Sequence, residues 1–100
     1  MRAENKQDFS ATGFLAEAAE TLDARGRQYD QKGGERSMGK VITMFNAATG
    51  RDLRESEGWL IMELVKIVRD CTTPEKAHQD SLLDGVSYAA LKAEARMAGR

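Results

Sequence analysis

One hundred residues with 41% hydrophobic content are enough for a single domain with a modest core. Fifteen basic and sixteen acidic side chains leave a net charge of -1, so no overall field attracts the chain to nucleic acid or to an anionic membrane. One cysteine and one histidine exclude an intramolecular disulfide and a closed Cys/His zinc site. The first nine residues are mostly polar, so we predict a flexible N-terminus over residues 1–9 and a single helical domain over residues 10–100.

Helical patterns account for most of the chain, because it contains one proline and no run that alternates in the manner of a strand. The first helix is predicted to begin after Ser10 or Thr12, either of which can cap it, and to end near Arg25 and Gly26. Its predicted core face consists of Phe14, Leu15, Ala18, Ala19 and Leu22. An exposed connector with a glycine pair at residues 33–34 follows.

The second helix is predicted from Glu35 or Ser37 to Thr49, with Gly50 as its stop. Its core stripe consists of Met38, Val41, Ile42, Phe45 and Ala48. Residues 34–41 also read G-x-x-x-x-G-K-V, which resembles the start of a phosphate-binding loop. That loop requires a preceding buried strand and a Ser or Thr in place of the valine, so we interpret the segment as a linker into the helix, with Val41 turned inward. Arg36 and Lys40 on the first turn leave an anion contact open.

The third helix, capped by Asp52 or Ser56, contains WLIMELVKIVRD and is apolar around most of its circumference. We expect it to be the central and most buried helix. Three short neighbours cannot cover so much apolar surface whereas a second subunit would, so a homo-oligomer is predicted. The charged exceptions form one stripe at helical spacing, consisting of Glu63, Lys66, Arg69 and Asp70.

The fourth helix is predicted over roughly residues 80–97, after a break at which Thr73 caps and Pro74 takes the first helical position. Its predicted core face consists of Leu82, Leu83, Val86, Ala89, Ala90 and Ala93, with Asp80, Asp84 and Ser87 or Tyr88 on another side. The expected fold is therefore a compact all-α bundle of four main helices.

Ordered landmarks between residues 20 and 95 carry a resemblance to a known family. They are Arg25 or Arg27 with Tyr29 and Gly33, then Lys66-x-x-Arg69, then Asp80-x-x-x-Asp84 followed by Tyr88. On these residues the chain resembles a family of small uncharacterised phage and prophage proteins, catalogued only as a domain of unknown function. Its departure is the insertion of residues 30–32 before the glycine.

More distantly, the chain is similar to the all-α nucleotide pyrophosphohydrolases of MazG type and to phage domains associated with nucleotide modification. The resemblance implies a protein of the bacterial host cytoplasm with a role in nucleotide chemistry. We expect no membrane partner, and no nucleic-acid partner either, because acids interleave with the basic residues.

Two interpretations remain for the four charges at Lys66, Arg69, Asp80 and Asp84. In one, the third and fourth helices pack antiparallel and the charges form ion pairs at the edge of the core. In the other, the two cations hold a phosphate while the aspartates orient them, and Tyr29, Tyr88 or Trp59 stacks on a base. The second interpretation predicts a cofactor-free protein that binds a nucleotide or another phosphate-bearing small molecule, such as a sequestered host nucleotide signal.

Two alternative functions stay open. A MazG-like enzyme would hold Mg²⁺ with Glu63, Asp80 and Asp84, together with Glu17 or Glu20, and no catalytic residue is assigned beyond these ligands. A non-catalytic protein-interaction module would use the charges only as ion pairs. His78 is expected at the surface or at a helix start, and Cys71 as a small buried apolar residue.

Overall fold

A computed structural model describes residues 8–26 and 37–100, which form four α-helices and contain no strand. The helices are α1 (Ala11–Arg25), α2 (Ser37–Thr49), α3 (Glu55–Cys71) and α4 (Gln79–Met97). The predicted all-α fold with four main helices is confirmed. The predictions for Arg27, Tyr29, Arg36 and the glycine pair concern residues outside the described ranges. No helix in the described ranges is long and apolar enough to span a membrane.

Two of the predicted helix boundaries are confirmed by local hydrogen bonds. The Ser10 hydroxyl accepts the Gly13 N–H at 3.0 Å and so caps α1. Gly50, with φ of 75°, follows α2 and donates its N–H to the Asn46 carbonyl at 2.8 Å. The Asn46 amide also exchanges two hydrogen bonds of 2.9 Å with the backbone of Leu53. This side chain therefore fixes the loop between α2 and α3.

The predicted caps of α3 and α4 are wrong. Arg54 precedes α3, and its N–H donates to the Glu57 carboxylate at 2.7 Å, while Ser56 lies inside the first turn and is buried. The α4 cap is His78, since Thr73 instead closes a turn by accepting the Lys76 N–H at 3.0 Å. A cap residue must be followed at once by helical backbone, and neither Asp52 nor Thr73 meets that condition.

Helices α3 and α4 pack antiparallel and form the centre of the fold. Ion pairs join the start of α3 to the residues after α4, at Glu55 and Arg100, and the end of α3 to the start of α4, at Lys66 and Asp84. Between them Trp59 stacks on Tyr88, with ring centroids 5.7 Å apart and planes at 22°. The surrounding core consists of Met38, Ile42, Leu91 and Ala95, with Leu22, Leu53 and Met62 at its margin.

Helix α2 approaches α3 closely because residue 58 is glycine. A Cβ atom there would lie 2.5 Å from the Met38 sulfur and 2.9 Å from Ile42 Cδ1. These two side chains are the buried residues of α2, whereas Val41 and Phe45 are exposed. The expectation that Val41 faces the core is therefore wrong.

The buried face of α4 also differs from the prediction. The buried residues are Ser81, Ser87, Tyr88, Leu91 and Ala95. The predicted face is solvent-exposed at Leu82, Ala90 and Ala93 and half-buried at Leu83, Val86 and Ala89. Alanine contributes little surface to a core, so the large side chains of Tyr88 and Leu91 determine which side of the helix turns inward.

Helix α3 is not the most buried helix. Its buried residues are Ser56, Gly58 and Trp59, all in its first two turns. Apolar side chains further along remain exposed, as does Cys71, which was predicted to be buried. Among the described helices, α3 packs closely against α4 and α2, and these two neighbours leave one of its sides uncovered.

Candidate functional site

The uncovered side of α3 is a continuous apolar surface, which we call the α3 face. It consists of Leu60, Ile61, Leu64, Ile67 and Val68, with Glu57 and Cys71 at its two ends. The spacing of three and four residues places these side chains on one side of the helix. Their exposed fractions run from 39% for Leu60 to 65% for Val68. Large apolar side chains at this density are unusual on a monomer surface and mark interaction sites.

A groove between α3 and α4 continues the α3 face onto the neighbouring helix. This α3–α4 groove has a volume of about 330 Å³. Ile67 of the α3 face lines it on one side, and Leu82, Val86 and Ala89 of α4 line it on the other. The apolar surface therefore spans two helices rather than one.

The charged residues that line the α3–α4 groove are Glu63, Lys66 and Asp70, and each has a polar partner nearby. Lys66 Nζ lies 2.9 Å from Asp84 Oδ2, and the two side chains are only 13% and 24% exposed. One turn earlier, Lys92 donates to Glu63 Oε1 at 2.8 Å. Lys66 and Asp84 thus form the ion pair of the first interpretation.

Arg69 and Asp80 lie outside this ion-pair arrangement. Both side chains are exposed, and within residues 8–26 and 37–100 neither forms an ion pair. Neither residue lines the α3–α4 groove. The four predicted site charges therefore separate into one close pair and two solvent-facing groups.

A second polar arrangement closes the turn between α3 and α4. The Asp70 carboxylate accepts the His78 N–H at 2.8 Å, and His78 Nδ1 lies 2.6 Å from the Ser81 hydroxyl. The Ser81 N–H also donates to Nδ1, at 3.3 Å. These contacts confirm His78 as a helix-start residue. Ser81 was not among the residues predicted from the sequence, although its position three residues after the cap residue His78 is a usable signal.

The aromatic residues predicted to stack on a base lie in the core. Trp59 and Tyr88 are 3% and 9% exposed and stack on each other, so neither ring presents a face to a ligand. Lys40 is exposed on α2, where it lines a shallow hollow with Gly39, Thr43 and Met44. Tyr29 and Arg36 lie outside the described residues.

The carboxylates predicted to hold magnesium are not gathered together. Glu63 pairs with Lys92 and Asp84 with Lys66, and Asp80 is exposed, as are Glu17 and Glu20 on α1. Across residues 8–26 and 37–100, no three His, Cys, Asp or Glu side chains are placed to hold a metal ion.

A polar hollow that the sequence did not indicate lies where α3 begins and α4 ends. Its volume is about 400 Å³, and it is lined by Asp52, Arg54, Ser56, Glu57, Arg96 and Arg100. Arg100 already donates to Glu55 at 3.1 Å, and its carbonyl accepts the Ser56 N–H. Acidic residues offset the three arginines, so the hollow has no marked preference for an anion.

Comparison with known families identifies a family that the chain matches. The model of the family described as Domain of unknown function (DUF6378) matches residues 13–96. The match confirms the predicted resemblance to a domain of unknown function, while phage origin and the MazG-type likeness stay predictions. No curated protein and no solved structure matches the chain.

Proposed function

We propose that this chain, which belongs to the DUF6378 family, is a non-catalytic protein-interaction module that associates with a second copy of itself through the α3 face. The observation that carries the proposal is the exposure of five large apolar side chains on one side of α3. Twelve large hydrophobic side chains are exposed in the described ranges, against seven buried hydrophobic residues. If the α3 face were covered, buried hydrophobic residues would outnumber exposed ones in these ranges.

The gain from covering the α3 face is of the right size for a reversible dimer. Fully burying one Leu, Ile or Val side chain contributes about 1.5–3 kcal/mol, so five half-exposed side chains contribute about 5 kcal/mol per copy and about 10 for two copies. The loss of translational and rotational freedom costs about 4–15 kcal/mol. These terms are comparable, and we therefore expect a dimer that dissociates on dilution.

The charge distribution of α3 supports a second copy as the partner. The charged residues within the span of the α3 face, Glu63 and Lys66, turn toward α4 and are paired there. Docking an identical apolar surface would therefore leave no charge buried without a partner between Leu60 and Val68, which is the condition for a stable apolar contact. A self-complementary patch of this kind suits a two-fold dimer.

Sedimentation velocity over a range of protein concentrations tests the proposal. The wild-type chain should move from a species of 11.0 kDa toward twice that mass as concentration rises. Leu64→Asp should abolish the heavier species while circular dichroism shows unchanged helix content. The matched control is Met44→Asp, at a side chain 72% exposed on α2, which should leave association intact. A chain that stays monomeric at millimolar concentration, or a Leu64→Asp variant that still dimerises, would overturn the proposal.

A second candidate function is binding of a nucleotide or another phosphate-bearing molecule, as the sequence predicted. The observation in its favour is that Lys66 lines the α3–α4 groove and pairs with Asp84, while the other carboxylates of the groove, Glu63 and Asp70, bind Lys92 and the His78 N–H. If the chain acts in a phage-infected cell, a host nucleotide signal would be the ligand. A phosphate would have to displace Asp84, so Asp84→Asn should strengthen binding and Lys66→Met should abolish it.

Melting in the presence of a panel of nucleoside triphosphates and cyclic nucleotides, with and without Mg²⁺, tests this candidate. A magnesium-independent rise in melting temperature that Lys66→Met removes would support binding. Release of product from a triphosphate, lost in Asp84→Ala, would instead support the MazG-like alternative. The absence of any response leaves the interaction module.

A further inference from the structure

We infer that the two copies dock with their α3 helices antiparallel and with Leu64 of each copy next to Leu64 of the other. This inference rests on the proposed self-association and adds the arrangement of the interface. It predicts which residue of the second copy lies next to each residue of the α3 face. The positions of Glu57 and Cys71 relative to Leu64 carry it.

Leu64 lies at the centre of the α3 face. The five apolar members extend from residue 60 to residue 68, and Glu57 and Cys71 are each seven residues from Leu64, one on either side. A seven-residue step returns to nearly the same side of a helix, and it covers about 10.5 Å along the axis. Glu57, Leu64 and Cys71 therefore lie in one row, and all three are exposed.

The charge of Glu57 disfavours the parallel arrangement. In a parallel two-fold dimer each residue of the row meets its own copy, so the two Glu57 side chains, each accepting the Arg54 N–H of its own chain, would come together at one end of the contact. Like charges brought together repel, and the repulsion grows as water is excluded from the contact.

The antiparallel arrangement removes that repulsion. It places Glu57 of each copy beside the uncharged Cys71 of the other, at both ends of the contact. Side-by-side helix dipoles also attract when the helices run in opposite directions. The two Glu57 carboxylates are then separated by about the length of fourteen residues, or about 21 Å.

The arrangement fixes which cysteines can be cross-linked. A disulfide requires Cα atoms about 4.4–6.8 Å apart. The two native Cys71 residues of an antiparallel dimer are about 21 Å apart, which is too far, whereas a cysteine at position 57 lies beside the partner's native thiol. Positions 57 and 71 of one helix are equally distant, so no disulfide can form within a chain.

Oxidation with copper phenanthroline and dioxygen, followed by electrophoresis without reductant, tests the inference. The wild-type chain, whose single cysteine is Cys71, should remain uncross-linked at concentrations where sedimentation shows a dimer. Glu57→Cys should cross-link, and the control Glu57→Cys with Cys71→Ser should not. Leu64→Cys with Cys71→Ser should also cross-link, because the two copies of position 64 meet at the two-fold axis. This variant leaves intact the hydrogen bond that the Arg54 N–H donates to Glu57.

Each other result has a distinct meaning. A wild-type disulfide dimer would overturn the antiparallel arrangement and leave self-association standing. A dimer that resists cross-linking in both the Glu57→Cys and Leu64→Cys variants would overturn the inference by placing another element at the interface. A chain that sediments as a monomer throughout would overturn the proposed function itself.

Discussion

Breaking the ion pair between Lys66 and Asp84 is the sharpest test of whether these two charges are structural. Lys66→Met keeps the length of the side chain and removes its charge. It leaves the Asp84 carboxylate, 24% exposed, without the cation 2.9 Å away. An exposed ion pair contributes about 0–1 kcal/mol, and loss of one partner from a fully buried pair costs about 3–5 kcal/mol. At this intermediate burial we expect a loss of about 2 kcal/mol in the free energy of unfolding.

A double-mutant cycle isolates the contact itself. Lys66→Met combined with Asp84→Leu removes both charges, so the double variant should recover part of the loss, with a coupling energy of about 1–1.5 kcal/mol. Urea unfolding followed by circular dichroism measures each corner of the cycle. All variants must be compared at one protein concentration, because association contributes to apparent stability.

The control for this cycle is Lys40→Met, at an exposed lysine of α2, which should change stability by no more than about 0.5 kcal/mol. If the loss of stability in the double variant equals the sum of the two single losses, the two side chains are not coupled, and the structural ion pair is refuted. They would indicate that Lys66 is available to an anion, and the nucleotide-binding candidate would gain accordingly.

Four further predictions concern helix packing, helix caps and one pKa. Gly58→Ala should destabilise the chain by about 1–3 kcal/mol, because the new methyl group overpacks the contact with α2. Gly85→Ala, with nothing within 4 Å, should raise the melting temperature through helix propensity. His78→Ala should cost about 1 kcal/mol in thermal unfolding and His78→Asn much less, since asparagine also caps. Hydrogen bonds from Ser10 lower the pKa of Asp8, so NMR should show that Ser10→Ala raises it; the small stabilisation is present at neutral pH and lost as pH falls through the folded pKa.

Helix positions could be predicted from the sequence more reliably than the buried side of each helix. Ser10 and Gly50 mark boundaries through their own backbone chemistry, which needs no distant partner. The core side of α4 was misassigned because its leucines and alanines, with Val86, spread around the helix. Tyr88 faces inward because its ring stacks on Trp59 of α3 in the folded chain. The periodicity of the α4 sequence contains no information about a contact with another helix.

The same reasoning explains the outcome for the candidate site. The sequence placed Lys66 and Asp84 in one cluster, and the structure brings them within 2.9 Å. Arg69 and Asp80 have equally suggestive spacing, but they lie on exposed sides of their helices. Spacing within one helix fixes relative direction, whereas the contact between two helices depends on how each is rotated about its axis.

Helix α3 reverses the usual arrangement of an amphipathic helix. Its central charges, Glu63 and Lys66, point into the bundle and are paired, while Ile61, Leu64 and Val68 point outward. The ion pairs and the Trp59–Tyr88 stack hold α3 in one rotation against α4, and in this rotation the apolar side is exposed. Variants on the two sides should therefore act on different equilibria. Lys66→Met should lower the stability of the single chain, and Leu64→Asp should weaken association with little effect on that stability, because the two side chains face opposite partners.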